Sequence, residues 1–145
     1  MKNSKIIMAD IAGGNGNKDL KGIILFHPMR NGTLVEVEVY NMPKDNSHPY
    51  ALHIHEGGVC DNDNFSKALG HYNPGNYKHP MHAGDLPPLL SNNGYSYMMV
   101  YTDRFTPQEV IGKTVIIHSG SDDFHSQPAG GSGSRIACGV IKQNL

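Results

Sequence analysis

The sequence predicts an all-β fold, an antiparallel sandwich or barrel. Three observations carry that prediction. Nowhere in the 145 residues is there a long amphipathic helical pattern. Short β-prone runs recur along the chain instead. Turn signals separate them, at Gly13-Gly14-Asn15-Gly16, Asn31-Gly32 and Asn92-Asn93-Gly94. Many short strands joined by turns bury their apolar faces by stacking or by closing on themselves.

The first run is Lys5–Ile11, and Gly22–Phe26 follows. Thr33–Tyr40 is the clearest strand, with Val35, Val37 and Val39 on one face and Glu36 and Glu38 on the other. Asn31-Gly32 before it predicts a two-residue hairpin turn, whose central positions both need positive φ. Tyr50–His55, Gly94–Thr102, Thr114–His118 and Ile136–Ile141 complete the set. Two segments resist a strand reading. Glu56–Leu89 is polar, turn-rich and histidine-rich, and Ser119–Ser134 is irregular and rich in glycine. Long structureless stretches in a compact domain are usually functional.

The length fits one domain spanning residues 1–145. A net charge of -1 gives no reason to expect general affinity for nucleic acid or an anionic membrane. No apolar run is long enough to span a bilayer. Met1-Lys2-Asn3-Ser4-Lys5 is basic, but Asp10 interrupts the apolar residues behind it, so no secretory leader is read. The chain as written reads as cytoplasmic, and an exported protein lacking its leader is the alternative. Cys60 and Cys138 lie far apart. They are either two buried free thiols or a disulfide closing a loop of about 80 residues.

The chemistry lies in the histidines. Of nine, six fall in a pattern with one aspartate: His53-x-His55, His71, His79-x-x-His82-x-x-Asp85 and His118. Residues i and i+2 of a strand face the same way, so His53 and His55 present two imidazoles side by side. With His71 and His118 they make a four-imidazole set suited to tetragonal Cu(II). His79, His82 and Asp85 need one more imidazole to close the shell expected of structural Zn(II). His71 supplies it if both of its ring nitrogens are used and the ring bridges the two metals. His27, His48 and His125 stand outside the pattern and read as ordinary surface or core histidines.

These stretches resemble the copper/zinc superoxide dismutase family, in its bacterial-type branch. The resemblance rests on His53-Ile54-His55-Glu56, Gly70-His71-Tyr72-Asn73-Pro74, Lys78-His79 and His82-Ala83-Gly84-Asp85-Leu86, followed by Ile117 to Asp123 and Gly133 to Ile141. It covers most of the chain from residue 50 onward. It implies a Greek-key sandwich or barrel of about eight antiparallel strands with two long functional loops. It also implies copper on His53, His55, His71 and His118, and zinc on His71, His79, His82 and Asp85. Asp122 would hydrogen-bond His53 and His79, Cys60 and Cys138 would be joined, and Arg135 would attract an anionic substrate. The implied reaction converts superoxide to dioxygen and hydrogen peroxide. Copper would carry the electrons, because zinc has no accessible redox change, and His71 would carry a proton. The chain departs from the family at Ala51-Leu52, where a glycine and an aromatic are usual, and in Ser119–Ser134, which lacks the charged cluster of the eukaryotic cytosolic enzymes. A homodimer is compatible with the sequence. The rival readings are a non-catalytic copper-binding module on the same fold and a zinc-only hydrolase or zinc-stabilised domain.

Overall fold

The computed structural model describes residues 5–45, 47–62 and 64–144. Met1 to Ser4, on which the leader reading partly rests, lie outside the described residues. Eight strands follow in order: β1 (Ile7–Gly13), β2 (Lys21–Met29), β3 (Gly32–Tyr40), β4 (Tyr50–His55), β5 (Asp85–Leu89), β6 (Ser96–Thr102), β7 (Thr114–His118) and β8 (Arg135–Gln143). All pair antiparallel in the order β5-β4-β7-β8-β1-β2-β3-β6. The two end strands, β5 and β6, come back beside each other without a ladder, so the sheet is a nearly closed barrel. The chain crosses between non-neighbouring strands from β3 to β4 and from β6 to β7, as a Greek key requires. Among the described residues no helix is long and apolar enough to cross a membrane.

The barrel core follows the strand period. Val35, Val37 and Val39 are fully buried, while Glu36 and Glu38 point outward. On β4, Leu52 and Ile54 enter the core, and so do Val115 and Ile117 on β7. Alternation then sends His53 and His55 to the outer face of β4, and Ile116 and His118 to that of β7. That outer face is nonetheless buried, because the two long loops cover it. Ile116, Phe65 and Ala68 form a small second cluster with the Cys60–Cys138 disulfide.

Two expectations change. Glu56–Leu89 is not all loop, since its end is strand β5 and a short 3-10 turn occupies Ser66–Ala68. Pro87 and Pro88 hid the strand. Proline cannot donate to a ladder, and an edge strand tolerates it. The hairpin between β2 and β3 turns on Arg30 and Asn31, with Met29 paired to Gly32. Of that pair only Asn31 takes positive φ, at 64°. Gly32 is needed for space, because a Cβ there would lie 2.3 Å from the Thr102 carbonyl oxygen. The two-residue turn with both φ positive falls instead at Asn93 (51°) and Gly94 (91°), between the bridged pair Asn92 and Tyr95.

Candidate metal centre

The outer face of β4 and β7 gathers all six patterned histidines. His53 and His55 lie side by side on β4, His118 ends β7, and a bridge between His55 and His71 brings in the loop. One atom from each of His53, His55, His71 and His118 lies within 4.8 Å of the others.

Hydrogen bonds decide which nitrogen of each ring is free. His53 Nε2 donates to Asp122 Oδ2 at 2.8 Å, leaving Nδ1 as a lone pair. His55 Nδ1 donates to the Leu69 carbonyl at 2.8 Å and His118 Nδ1 faces that of Gly133 at 3.4 Å, leaving both Nε2 atoms as lone pairs. His53 Nδ1 and His55 Nε2 then stand 3.1 and 3.4 Å from His118 Nε2. Three lone pairs converging on one buried point repel one another unless a cation lies between them. His71 Nε2 is buried and has no hydrogen-bond partner.

The second group lies on the other side of the His71 ring. His71 Nδ1 is 2.8 Å from Asp85 Oδ1 and 3.1 Å from His82 Nδ1. His79 and His82 bring their Nδ1 atoms to 3.1 and 3.2 Å from Asp85 Oδ2. A tetrahedral metal with bonds of about 2.0–2.1 Å has ligand atoms roughly 3.3 Å apart. His79 Nε2 donates to Asp122 Oδ1 at 2.7 Å, so the ring's Nδ1 turns a lone pair toward the Asp85 carboxylate and no hydrogen bond forms. His53 also lies within 4.8 Å of His71, His79 and Asp85. Its Nε2 is already committed to Asp122 and its Nδ1 to the first group, so His82 completes the second.

Burial lowers the imidazoles of His53 and His55 to about 2 and that of His118 to about 4. Neighbouring histidines add to the effect. Burial lowers His82 too. At Asp85 burial works upward, but the His71 hydrogen bond and the nearby imidazoles outweigh it and hold the carboxyl below its ordinary value. Neutral imidazoles beside a carboxylate are the metal-binding forms of these side chains.

Arg135 lies at the rim of the first group. It pairs with His118 in the β7–β8 register and donates to the carbonyls of Phe65 at 2.7 Å and Leu69 at 2.6 Å. Leu69 is the residue whose carbonyl also holds His55. His27 bonds Glu36, His48 its neighbouring Pro49 carbonyl and exposed His125 the Asp123 carbonyl, all apart from the cluster. The Leu69 and Gly133 carbonyls were invisible in the sequence, because backbone groups leave no residue-type signal. A groove of about 580 Å³ runs behind the second group past Met81, Leu86, Tyr101 and Phe124, and touches none of His53, His55 and His118.

The profile of the family described as copper/zinc superoxide dismutase (SODC) matches residues 20–141. The chain belongs to this family. It is similar to Superoxide dismutase [Cu-Zn] 1 of Aquifex aeolicus, at 34% identity covering 92% of this chain and 86% of the relative. A Superoxide dismutase [Cu-Zn] of Deinococcus radiodurans is 32% identical, over 94% of this chain and 84% of its own. Among solved structures, a SOD-like protein from Bacillus subtilis superposes with a TM-score of 0.78 at 26% identity, covering 92% of this chain and 96% of that one.

Proposed function

We propose that this protein is a superoxide dismutase, with copper held by His53, His55, His71 and His118 and zinc by His71, His79, His82 and Asp85. The observation that carries the reading is the His71 ring. Its Nδ1 lies in the carboxylate group, and its Nε2 is buried and unpartnered. One imidazole serving both groups fills two four-ligand sets from seven side chains.

Copper supplies one-electron cycling between Cu(II) and Cu(I). The overall reaction takes two superoxide anions and two protons to dioxygen and hydrogen peroxide. The protein's own part is to bind, orient and protonate. Asp122 grips His53 and His79 from behind and so fixes both rings. When its Nε2 is free of the metal, His71 would take up a proton there and give it to the departing peroxide, as a general acid within reach. Arg135 draws the anion toward the rim. Burial lowers its guanidinium from the ordinary value, yet an arginine stays charged at neutral pH.

Because the chain is nearly neutral overall, steering must come from local charge. Arg135→Ala is expected to lower the second-order rate about tenfold and to flatten its salt dependence, with copper and zinc content intact. Arg135→Lys, which keeps the charge, should retain part of the rate. An unchanged rate at low ionic strength would rule out that role.

The copper-binding module accounts for the ligands but leaves Arg135 at the rim unexplained. The zinc-only reading leaves the four-imidazole set unexplained. The Cys60–Cys138 disulfide favours an oxidising compartment, hence the exported alternative. A homodimer would draw on the outward face of β6, where Tyr97, Met99 and Tyr101 are exposed beside Tyr95 just before the strand, and sedimentation at micromolar concentration tests it.

A further inference from the structure

We propose that Arg104 and Gln127 are positioning residues that clamp the backbone of residues 79–82 and thereby set zinc affinity. The proposal rests on the zinc assignment above. Neither residue belongs to the histidine pattern, and neither touches an imidazole in the hydrogen bonds that hold the site.

Gln127 comes from the second long loop and pairs with His79 much as a neighbouring strand would. The His79 N–H donates to Gln127 Oε1 at 3.0 Å, and Gln127 Nε2 donates to the His79 carbonyl at 2.8 Å. The same Nε2 also reaches the His125 carbonyl at 3.0 Å, which ties the clamp to its own loop. Arg104 follows β6 and grips the other end of the segment. Its Nη1 donates to the carbonyls of Pro80 at 2.9 Å and His82 at 3.1 Å, and its Nη2 meets Met81 Sδ at 3.6 Å.

Arg104 has a fixed base. Its N–H donates to Thr102 Oγ1 at 3.2 Å. The next residue, Phe105, is buried in the barrel core, and its carbonyl accepts from Thr33 Oγ1 at 2.8 Å. The remaining backbone N–H groups are held too, Met81 to the Lys78 carbonyl and His82 to Asp85 Oδ2. The segment that carries two zinc-directed imidazoles is thus tied from two directions, by residues 22 and 48 positions away in sequence.

In this segment the buried side chains are the polar His79 and His82 while Met81 is exposed, so little apolar burial holds it. Without outside restraint it must be ordered when the metal arrives, and that ordering subtracts from affinity. The clamp supplies the order in advance. Of the metal-directed residues it holds only His79 and His82, so its effect falls more on zinc than on copper.

The test measures zinc affinity by competition with a chromophoric chelator, copper affinity likewise, and the melting temperature of the metal-free protein. Arg104→Ala and Gln127→Ala are each expected to weaken zinc about tenfold, at the lower end for groups that orient a metal ligand. Copper affinity and metal-free melting should stay near wild type. Arg104→Lys should recover part of the loss, since an ammonium is a single point donor where the guanidinium is a fork. Unchanged zinc affinity in both alanine variants would overturn the clamp. Equal weakening of copper and zinc with a lower metal-free melting temperature would overturn it as well, in favour of general loosening. Zinc binding unaffected by Asp85→Ala in the otherwise wild-type protein would overturn the zinc assignment itself.

Discussion

Gly130→Ala weakens both copper and zinc binding, each by roughly 10–100-fold. The reason is local and steric. A Cβ at residue 130 would lie 2.0 Å from Asp122 Oδ1 and 2.6 Å from His79 Nε2. Neither atom can retreat, because the Asp122 side chain is 2% exposed and bonded to His53, His79 and the Phe124 N–H. The loop cannot easily give way either, since Gly130 is bonded on both sides, its N–H to the Ser126 carbonyl and its carbonyl to the Asp123 N–H. Asp122 must therefore lose its grip on one or both rings. Gly131→Ala provides the control. Gly131 has a similar φ of 63° against 70° for Gly130, so both variants meet a comparable left-handed strain of about 1–3 kcal/mol. At Gly131, however, the nearest atom to a Cβ is 3.6 Å away. Metal titrations of the two variants separate clash from strain, and equal affinities would remove Asp122 from the account.

Cys60→Ser with Cys138→Ser costs about 4 kcal/mol of stability on the chain-entropy estimate for a bridge spanning 78 residues. The loss has a local consequence. The disulfide pins the segment from Cys60 to Leu69 onto β8, and that segment presents the Phe65 and Leu69 carbonyls to Arg135 and His55. Copper affinity should fall with stability, and zinc affinity should fall less, because His79, His82 and Asp85 are anchored elsewhere. Urea midpoints and metal titrations of the double variant measure both. A stability loss under about 1 kcal/mol, or zinc falling more than copper, would contradict this coupling.

Much of the site was legible in the sequence because imidazole spacing carries information that survives without coordinates. His53 and His55 declare their shared face through the strand period, and His79, His82 and Asp85 declare a loop cluster. The fold was legible where the alternation was clean, as in β3. Strand β5 was not, because Pro87 and Pro88 imitate a loop at a barrel edge. Arg104 and Gln127 were not either. Each acts on backbone carbonyls and N–H groups far away in sequence, and no local pattern records such a meeting. Gly130 looked like part of a glycine-rich loop, and only the packed Asp122–His79 pair beneath it shows why a side chain is excluded there.

Superoxide dismutation by protein reconstituted with one copper and one zinc, beside a zinc-only control, tests the proposed activity most directly. Fast turnover that appears only with copper is expected. Stoichiometric copper binding without turnover would contradict it and would favour a protein that stores or delivers the metal.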